Sequence, residues 1–453
     1  MKISNLKKKV TRGVIYMIIK EITMKNFHGF KERHITFSDQ FTVLVGNNGT
    51  GKTAVLDGLA VALGSYLSGL NGVHSRHIKR DEIYREIYIH GGLSDIQMQF
   101  PVTVSCRGYV EGEYLEWSRS VNSEKGSNTS KEAKPIMEYA SKIQSMVSKG
   151  QSAILPVISY YGTGRLWVQK KDQNEKQKKS NRLEGYSYCL DPASHEKHFL
   201  KWIEKMTYIE LQRKEAPTVL SAVKKAISTC MKDWETLEFD VDSEELRVIG
   251  KDNNAIPFRL LSDGIRNTIG LVADLAHRMA QLNPALKESV VELTPGVVLI
   301  DELDLHLHPS WQRRIISDLK RTFPKVQFIT TTHSPFIIQS LEEGELRRLH
   351  EEDDDEVVSR EEFVNRSIED ITENVMEIPY VQRSQKQIEM YNVAQQYYKL
   401  LKEGKNISSD EVENIKNKLD DLESLYSEDI AYYAFLQMER KAAGLEREED
   451  ETN

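Results

Sequence analysis

Eight consecutive residues, Gly46-Asn47-Asn48-Gly49-Thr50-Gly51-Lys52-Thr53, have the types and spacing that hold a phosphate. Glycines let backbone N–H groups close around phosphate oxygens, the lysine neutralises charge on the β- and γ-phosphates, and the final threonine offers a hydroxyl to Mg²⁺. A second set, Val297-Val298-Leu299-Ile300-Asp301-Glu302, is an apolar run that ends in two carboxylates. It reads as a buried parallel strand with the acids at its mouth, where ligands of such sheets bind. There Asp301 would hold Mg²⁺ through water. Glu302 would orient and deprotonate an attacking water, because phosphoryl transfer needs an in-line nucleophile and neutralised charge. Phe328-Ile329-Thr330-Thr331-Thr332-His333-Ser334-Pro335 is a further strand, and it ends in His333, within reach of a γ-phosphate. Leu261-Ser262-Asp263-Gly264-Ile265-Arg266-Asn267 opens an apolar helix, with Ser262 as N-cap and Gly264 leaving the backbone open to an anion.

Other reactive residue types are read more plainly. His306 and His308, with Asp304 in DELDLHLHPSW, have weak metal spacing and no cysteine or further histidine nearby. A loop facing another subunit is the better reading. Cys106, Cys189 and Cys230 are odd in number and far apart, which suits small buried thiols in a reducing compartment rather than a disulfide framework or a CxxC site. The run Glu351–Glu356 follows RRLH, not an apolar strand, and reads as solvated charge.

The elements that would position these residues can be read from periodicity. MIIKEITMKNF and HITFSDQFTVLV, separated at Gly29, read as two strands, the second running into the glycine loop. TAVLDGLAVALGSYLSGL then has helical spacing, giving strand, loop, helix. Residues 84–120 alternate as an antiparallel set, and AILPVISYY is a buried strand ending at Gly162-Thr163-Gly164-Arg165. VQKKDQNEKQKKSNR has no periodicity and reads as a mobile loop. Residues 193–233 look helical, 236–250 form a hairpin, and 264–282 form a helix. After the 297–302 strand come a helix from about Ser310 to Thr322, the strand VQFITTTH and a helix near Pro335, which is the alternation of a parallel sheet. No strand is expected beyond residue 346, where helices such as 385–403 and 408–425 are joined by polar segments.

The chain has 453 residues, enough for two or three lobes at roughly 100–200 residues each. With 39% hydrophobic and 29% charged residues and only 12 prolines, it is neither collagen-like nor wholly disordered. No run approaches the roughly 18 apolar residues of a membrane span, and the N-terminus has no long apolar region, so a cytoplasmic protein without a membrane partner is expected. The net charge of −8 hides an asymmetry: residues 341–453 carry 31 acidic and 14 basic residues, and the remainder 38 acidic and 47 basic. A basic body suits phosphate-bearing ligands.

The order of the motifs, Walker A, then L-S-x-G, then Walker B with Asp-Glu, then a strand ending in histidine, resembles that of ABC-type ATPase heads. It is similar to the branch containing SMC, RecF, RecN and the OLD nucleases, and the likeness extends to Asn26-Phe27-His28-Gly29-Phe30, DELDLHLHP and TTHSP. The resemblance spans most of residues 17–340. It implies ATP and Mg²⁺ as ligands, with Gly46–Thr53 binding nucleotide, Thr53 and Asp301 the metal, and Glu302 and His333 catalytic. Ser262 and Gly264 would contact the γ-phosphate held by a second subunit, so a homodimer or higher oligomer with composite sites is implied. Asp263 departs from the second glycine usual in ABC transporters and puts transporter function in doubt.

The 208 residues between Thr53 and Ser262 have no sustained heptads, so long coiled-coil arms are absent, and no Toprim, HNH or PD-(D/E)xK-like set of acids suggests a nuclease in this chain. YYGTGRLW, GYSYCLDP and Ser367-Ile368-Glu369-Asp370-Ile371 are similar to the PtuA family, ATPases of Septu-type antiphage systems that work with a separate HNH nuclease, PtuB. The alternative is a RecF-like ATP-dependent clamp in DNA repair, with Lys7-Lys8-Lys9 and Lys170–Arg182 meeting DNA phosphates. The expected fold is α/β: an ABC-type P-loop head, made of a mixed sheet and an antiparallel β subdomain, with a helical insert and a mostly helical C-terminal region. The expected divisions are 1–68 (first strands and Walker A), 69–235 (antiparallel strands and helical insert), 236–345 (signature, Walker B and histidine) and 346–453 (acidic helical region). Met17 stands just before the first family-like strand and is a candidate start, with residues 1–16 an upstream extension.

Overall fold

The computed structural model describes residues 17–90, 93–166, 181–192, 196–214, 217–350 and 356–379, with isolated positions between 386 and 418. The chain divides into two compact units, Met1–Ile371 and Thr372–Asn453. Lys7-Lys8-Lys9, nearly all of Lys170–Arg182, the acidic run up to residue 355 and most of 385–403 and 408–425 lie outside the described residues. No helix of the described residues is long and apolar enough to cross a membrane.

The first unit is built on two main sheets. One has six strands: β3 (Phe41–Val45), β8 (Val157–Tyr161), β12 (Gly296–Ile300), β13 (Val326–Thr331), β14 (Leu346–Arg348) and β15 (Glu356–Val357), in the order β15-β14-β3-β13-β12-β8. All neighbours are parallel except β15, which returns antiparallel. The other is antiparallel: β1 (Met17–Phe27), β2 (Phe30–Thr36), β6 (Val102–Val110) and β7 (Glu113–Val121), in the order β2-β1-β6-β7. A hairpin, β4 (Arg85–His90) with β5 (Leu93–Met98), and a three-stranded sheet of β9 (Trp234–Asp240), β10 (Glu245–Gly250) and β11 (Ala255–Pro257) complete the β structure.

The longer helices of this unit are α1 (Lys52–Ser68), α2 (Lys134–Ser148), α3 (Glu196–Arg213), α4 (Thr218–Cys230), α5 (Asp263–Leu282) and α6 (Ile315–Thr322). Every residue of β3, β12 and β13 is buried, which is why these strands read as continuous apolar runs rather than alternating ones. Helix α1 lies between the two main sheets, packing on β1, β6 and β7 as well as on β12 and β13. Both sides are therefore apolar, as expected of a helix with no solvent face. Gln327, 1% exposed, ties the sheets together: its amide nitrogen donates to the Ile19 and Ser38 carbonyls at 2.7 Å, and its oxygen accepts from the Ile19 N–H at 2.8 Å. All the polar valences of this buried side chain that matter for its cost are thereby met.

Three expectations need correction. HITFSDQFTVLV is not one strand: its first part completes β2, and its last five residues are β3 in the other sheet. The break falls at Ser38, whose N–H donates to Thr42 Oγ1 at 3.0 Å in a local turn that replaces ladder pairing. The helix from Ser310 to Thr322 is broken at Arg314 (φ −120°), where the guanidinium stacks 4.4 Å from the Trp311 ring and donates to Asp233 at 2.8 Å. Strands do exist beyond residue 346: β14 runs from Leu346 to Arg348, and β15 (Glu356–Val357) pairs with it. β14 pairs with β3, with Leu346 opposite Val43 and Arg348 opposite Val45. It is only three residues long, too short to show a period, and it is held by a long-range partner.

Candidate functional site

Parallel pairing places the C-terminal ends of β3, β13 and β12 side by side, so the glycine loop, His333 and the Asp301-Glu302 pair emerge from one edge of the sheet. The histidine strand is the middle one. Within the loop Gly46, Gly49 and Gly51 have φ of 150°, 92° and 88°, so the cradle depends on backbone angles that side chains resist. Gly51 has a second reason to be glycine. A Cβ there would lie 2.2 Å from the Phe30 ring, which packs beneath the turn into α1.

Lys52 is 8% exposed, and its ammonium donates to the Gly46 carbonyl at 2.8 Å and the Asn47 carbonyl at 2.9 Å. Burial lowers its pKa from the ordinary lysine value, opposed by the charges of Asp301 and Glu302. An ammonium bonded to carbonyls of its own loop has protons to redirect to phosphate oxygens. Thr50 closes the turn by donating to the Asn47 carbonyl at 3.0 Å.

The metal-type residues meet directly. Thr53 Oγ1 donates to Asp301 Oδ2 at 3.0 Å, and Thr331 Oγ1 donates to Asp301 Oδ1 at 2.6 Å. The Glu302 N–H in turn donates to Thr331 Oγ1 at 2.7 Å, and the Asp301 N–H donates to the Tyr161 carbonyl at 2.8 Å. A hydroxyl and a carboxylate within hydrogen-bond distance are hard oxygen donors of the kind Mg²⁺ takes, so this pair fits that ion. Glu302 has φ 49°, an uncommon conformation for a non-glycine residue, and its N–H is held by the Thr331 hydroxyl and its carbonyl by the Leu305 N–H. His333 is exposed at the end of β13, and its N–H donates to Asp304 Oδ1 at 3.3 Å.

Ser262 and Gly264 are elsewhere. Ser262 is the exposed N-cap residue of α5 and makes no side-chain cap bond. Gly264 is buried against the loop after β12, where a Cβ would lie 2.2 Å from the His306 carbonyl oxygen. Among the described residues no hydrogen bond joins either to the phosphate loop. His306 and His308 are exposed on the same loop, and the carboxylate of Asp304 is turned to Thr332 and His333, so the three do not converge. His308 caps a short helical turn, with Nδ1 2.8 Å from Ser310 Oγ.

Sequence reasoning gave no role to Thr331 or to the stretch after β14, weighed Asp304 only as a weak metal ligand with His306 and His308, and quoted Phe30 only as part of a family-like segment. Arg33, 1% exposed, lies 5.4 Å over the Phe30 ring and donates to the His350 carbonyl at 2.8 Å, while the Leu349 carbonyl closes against Gly46. For Thr331 the local signal was the triple threonine beside His333. One cluster of three metal-type ligands occurs among the described residues, His28, Asp57 and Glu82, but the Arg76 guanidinium contacts both acids and supplies the positive charge itself. The three cysteines are buried and free, and burial pushes the thiols of Cys189 and Cys230 up to about 12, which keeps them from acting as nucleophiles.

Residues 21–235 match a family described as an AAA domain, and residues 154–339 match one described as an AAA domain, putative AbiEii toxin, type IV toxin–antitoxin system. The chain is 27% identical over 377 residues to Septu protein PtuA of Bacillus thuringiensis, covering 80% of this chain and 84% of that one. It is 24% identical over 391 residues to the retron Vc95 probable ATPase of Vibrio cholerae serotype O1 biovar El Tor, covering 74% of each. Among solved structures, the SMC head domain from Thermotoga maritima aligns with a TM-score of 0.42 and 17% identity, over 76% of this chain and 99% of that one. The phosphate loop, the acids it bonds to and these relatives together make the chain a P-loop ATPase related to PtuA and to the retron ATPase.

Proposed function

We propose that this chain is the ATP-binding and hydrolysing subunit of an antiphage defence complex, in which ATP-dependent pairing of two copies regulates a separate HNH nuclease partner of the PtuB kind. The observation that supports the ATPase chemistry is the bonded series Thr53, Asp301, Thr331, Glu302. Kinship with PtuA supports the defence role and the partner.

In this reading Gly46–Thr53 wrap the phosphates, and Lys52 exchanges its bonds to the Gly46 and Asn47 carbonyls for phosphate oxygens. Thr53 and Asp301 hold Mg²⁺, which when bound neutralises charge on the phosphate oxygens. Glu302 orients a water toward the γ-phosphorus and takes its proton as the new O–P bond forms and the bond to the bridging oxygen breaks, leaving ADP and phosphate. His333 hydrogen-bonds the γ-phosphate from the strand between the two motifs. Ser262 and Gly264 complete the site of the other copy.

The test is co-purification with the protein encoded beside it, with and without ATP, and with Glu302→Gln. An HNH protein retained in an ATP-dependent manner is the expected result. ATP-dependent closure on duplex DNA with strong salt dependence and no partner would replace this account with the RecF-like clamp.

A further inference from the structure

The helix that begins with the exposed Ser262 is fastened to the sheet at two places far from that end. At its C-terminus Asn283 is 1% exposed and exchanges bonds with the backbone of Leu155, Oδ1 accepting from the N–H and Nδ2 donating to the carbonyl, both at 2.8 Å. In its middle, Asp274 and Arg278 form an ion pair, with Nε 2.7 Å from Oδ2 and side-chain exposures of 16% and 7%. Tyr161 donates its hydroxyl to the same Oδ2 at 2.8 Å. Arg278 also donates to the Gly185 and Ser187 carbonyls at 3.0 Å, which secures the segment that borders β8.

Tyr161 is the last residue of β8 and faces Ile300 in the ladder, and its carbonyl accepts the N–H of Asp301. One residue therefore bonds through its backbone to the Walker B acid and through its side chain to the signature helix. At the other end of that helix, Gly264 is in contact with the His306 carbonyl of the loop that follows the same acids. The path from Asp301 to Ser262 is a closed loop of rigid pieces: strand end, phenol, ion pair, helix, glycine contact. A buried ion pair often stabilises a fold no better than apolar residues of similar volume, and fixing relative position is the role assigned to this one.

We propose that Tyr161, Asp274 and Arg278 are positioning residues that convey the state of the Asp301-Glu302 strand end to the Ser262–Gly264 helix start, and so to the ATP site of the second copy. This rests on the two-copy reading above. The phenol hydroxyl is the link that can be removed alone, since Tyr161→Phe leaves ring, backbone and ion pair in place.

The experiment uses differently tagged copies purified as mixed pairs, in which Lys52→Ala silences one of the two ATP sites. In pair one, Tyr161→Phe is placed in the same copy as Lys52→Ala and the other copy is unmodified, so the live phosphate loop faces the altered helix. In pair two, the copies carry Lys52→Ala and Tyr161→Phe separately, so the live loop has the altered tyrosine but faces an unmodified helix. Pair one is expected to hydrolyse ATP about tenfold more slowly than pair two, a difference of about 1.4 kcal/mol, with the KM for ATP and the melting temperature the same in both. Equal rates, or a defect confined to pair two, would overturn the proposal, because a merely structural role acts in the copy that carries the change. A third pair with Ser262→Arg in the Lys52→Ala copy is the control. If that pair also shows no defect, the two-copy reading itself has failed rather than the link.

Discussion

The two halves of the proposed ATP site are built differently. The phosphate-loop half is internally bonded: Lys52, Asp301 and Thr331 are 8%, 5% and 1% exposed and joined to their neighbours within one chain, while Asn47, Asn48, Gly49 and Thr53 are exposed around them. The signature half has Ser262 exposed at the start of a 20-residue helix, with no side-chain cap bond. A residue whose role were to cap its own helix would accept an N–H bond from the first turn. In the proposed function the first half works within one chain, and the exposed Ser262, which makes no cap bond of its own, is left to act on the site of a second copy.

The largest effect expected on this contrast is from Glu302→Gln. Loss of the base should slow hydrolysis by about 10²–10⁴-fold while ATP affinity stays the same, read by phosphate release and by a fluorescent nucleotide. An equal loss of affinity would move Glu302 from catalysis to binding. Next is Lys52→Ala, which should weaken ATP binding about 100-fold by removing a charged hydrogen-bond donor, measured calorimetrically. Ser262→Arg should reduce turnover by about tenfold or more and leave nucleotide affinity at low protein concentration unchanged, which separates the two halves directly. The smallest effect belongs to Thr331→Val. It removes the hydroxyl shared by Asp301 and Glu302 and should cost about 1–2 kcal/mol in stability, read by denaturant unfolding, with a few-fold loss in turnover.

The same contrast explains what could be read from the chain. The glycine loop, Asp301-Glu302 and His333 are each contiguous with the strand that delivers them, so local pattern sufficed to find them. Thr331 acts across 30 residues and Tyr161 across 113, and nothing in a window of sequence marks which threonine or tyrosine will meet a given carboxylate. β14 was invisible for a related reason: three residues have no measurable period, and its place beside β3 comes from pairing alone. Likewise FTVLV reads as a continuation of β2, because a sheet change at Ser38 alters neighbours but not composition. Ser262 and Gly264 were found as a motif, and the role proposed for them needs a second copy, which one chain does not supply.

The central claim is that the working ATP site is shared between two copies. Mixing Lys52→Ala with Ser262→Arg tests it most directly, since each variant alone lacks one half and the mixed pair regains one complete site. The account predicts that equimolar mixing restores ATP hydrolysis to about a quarter of the unmodified rate, the share expected from random two-fold pairing. A mixture as inactive as its separate components would contradict it.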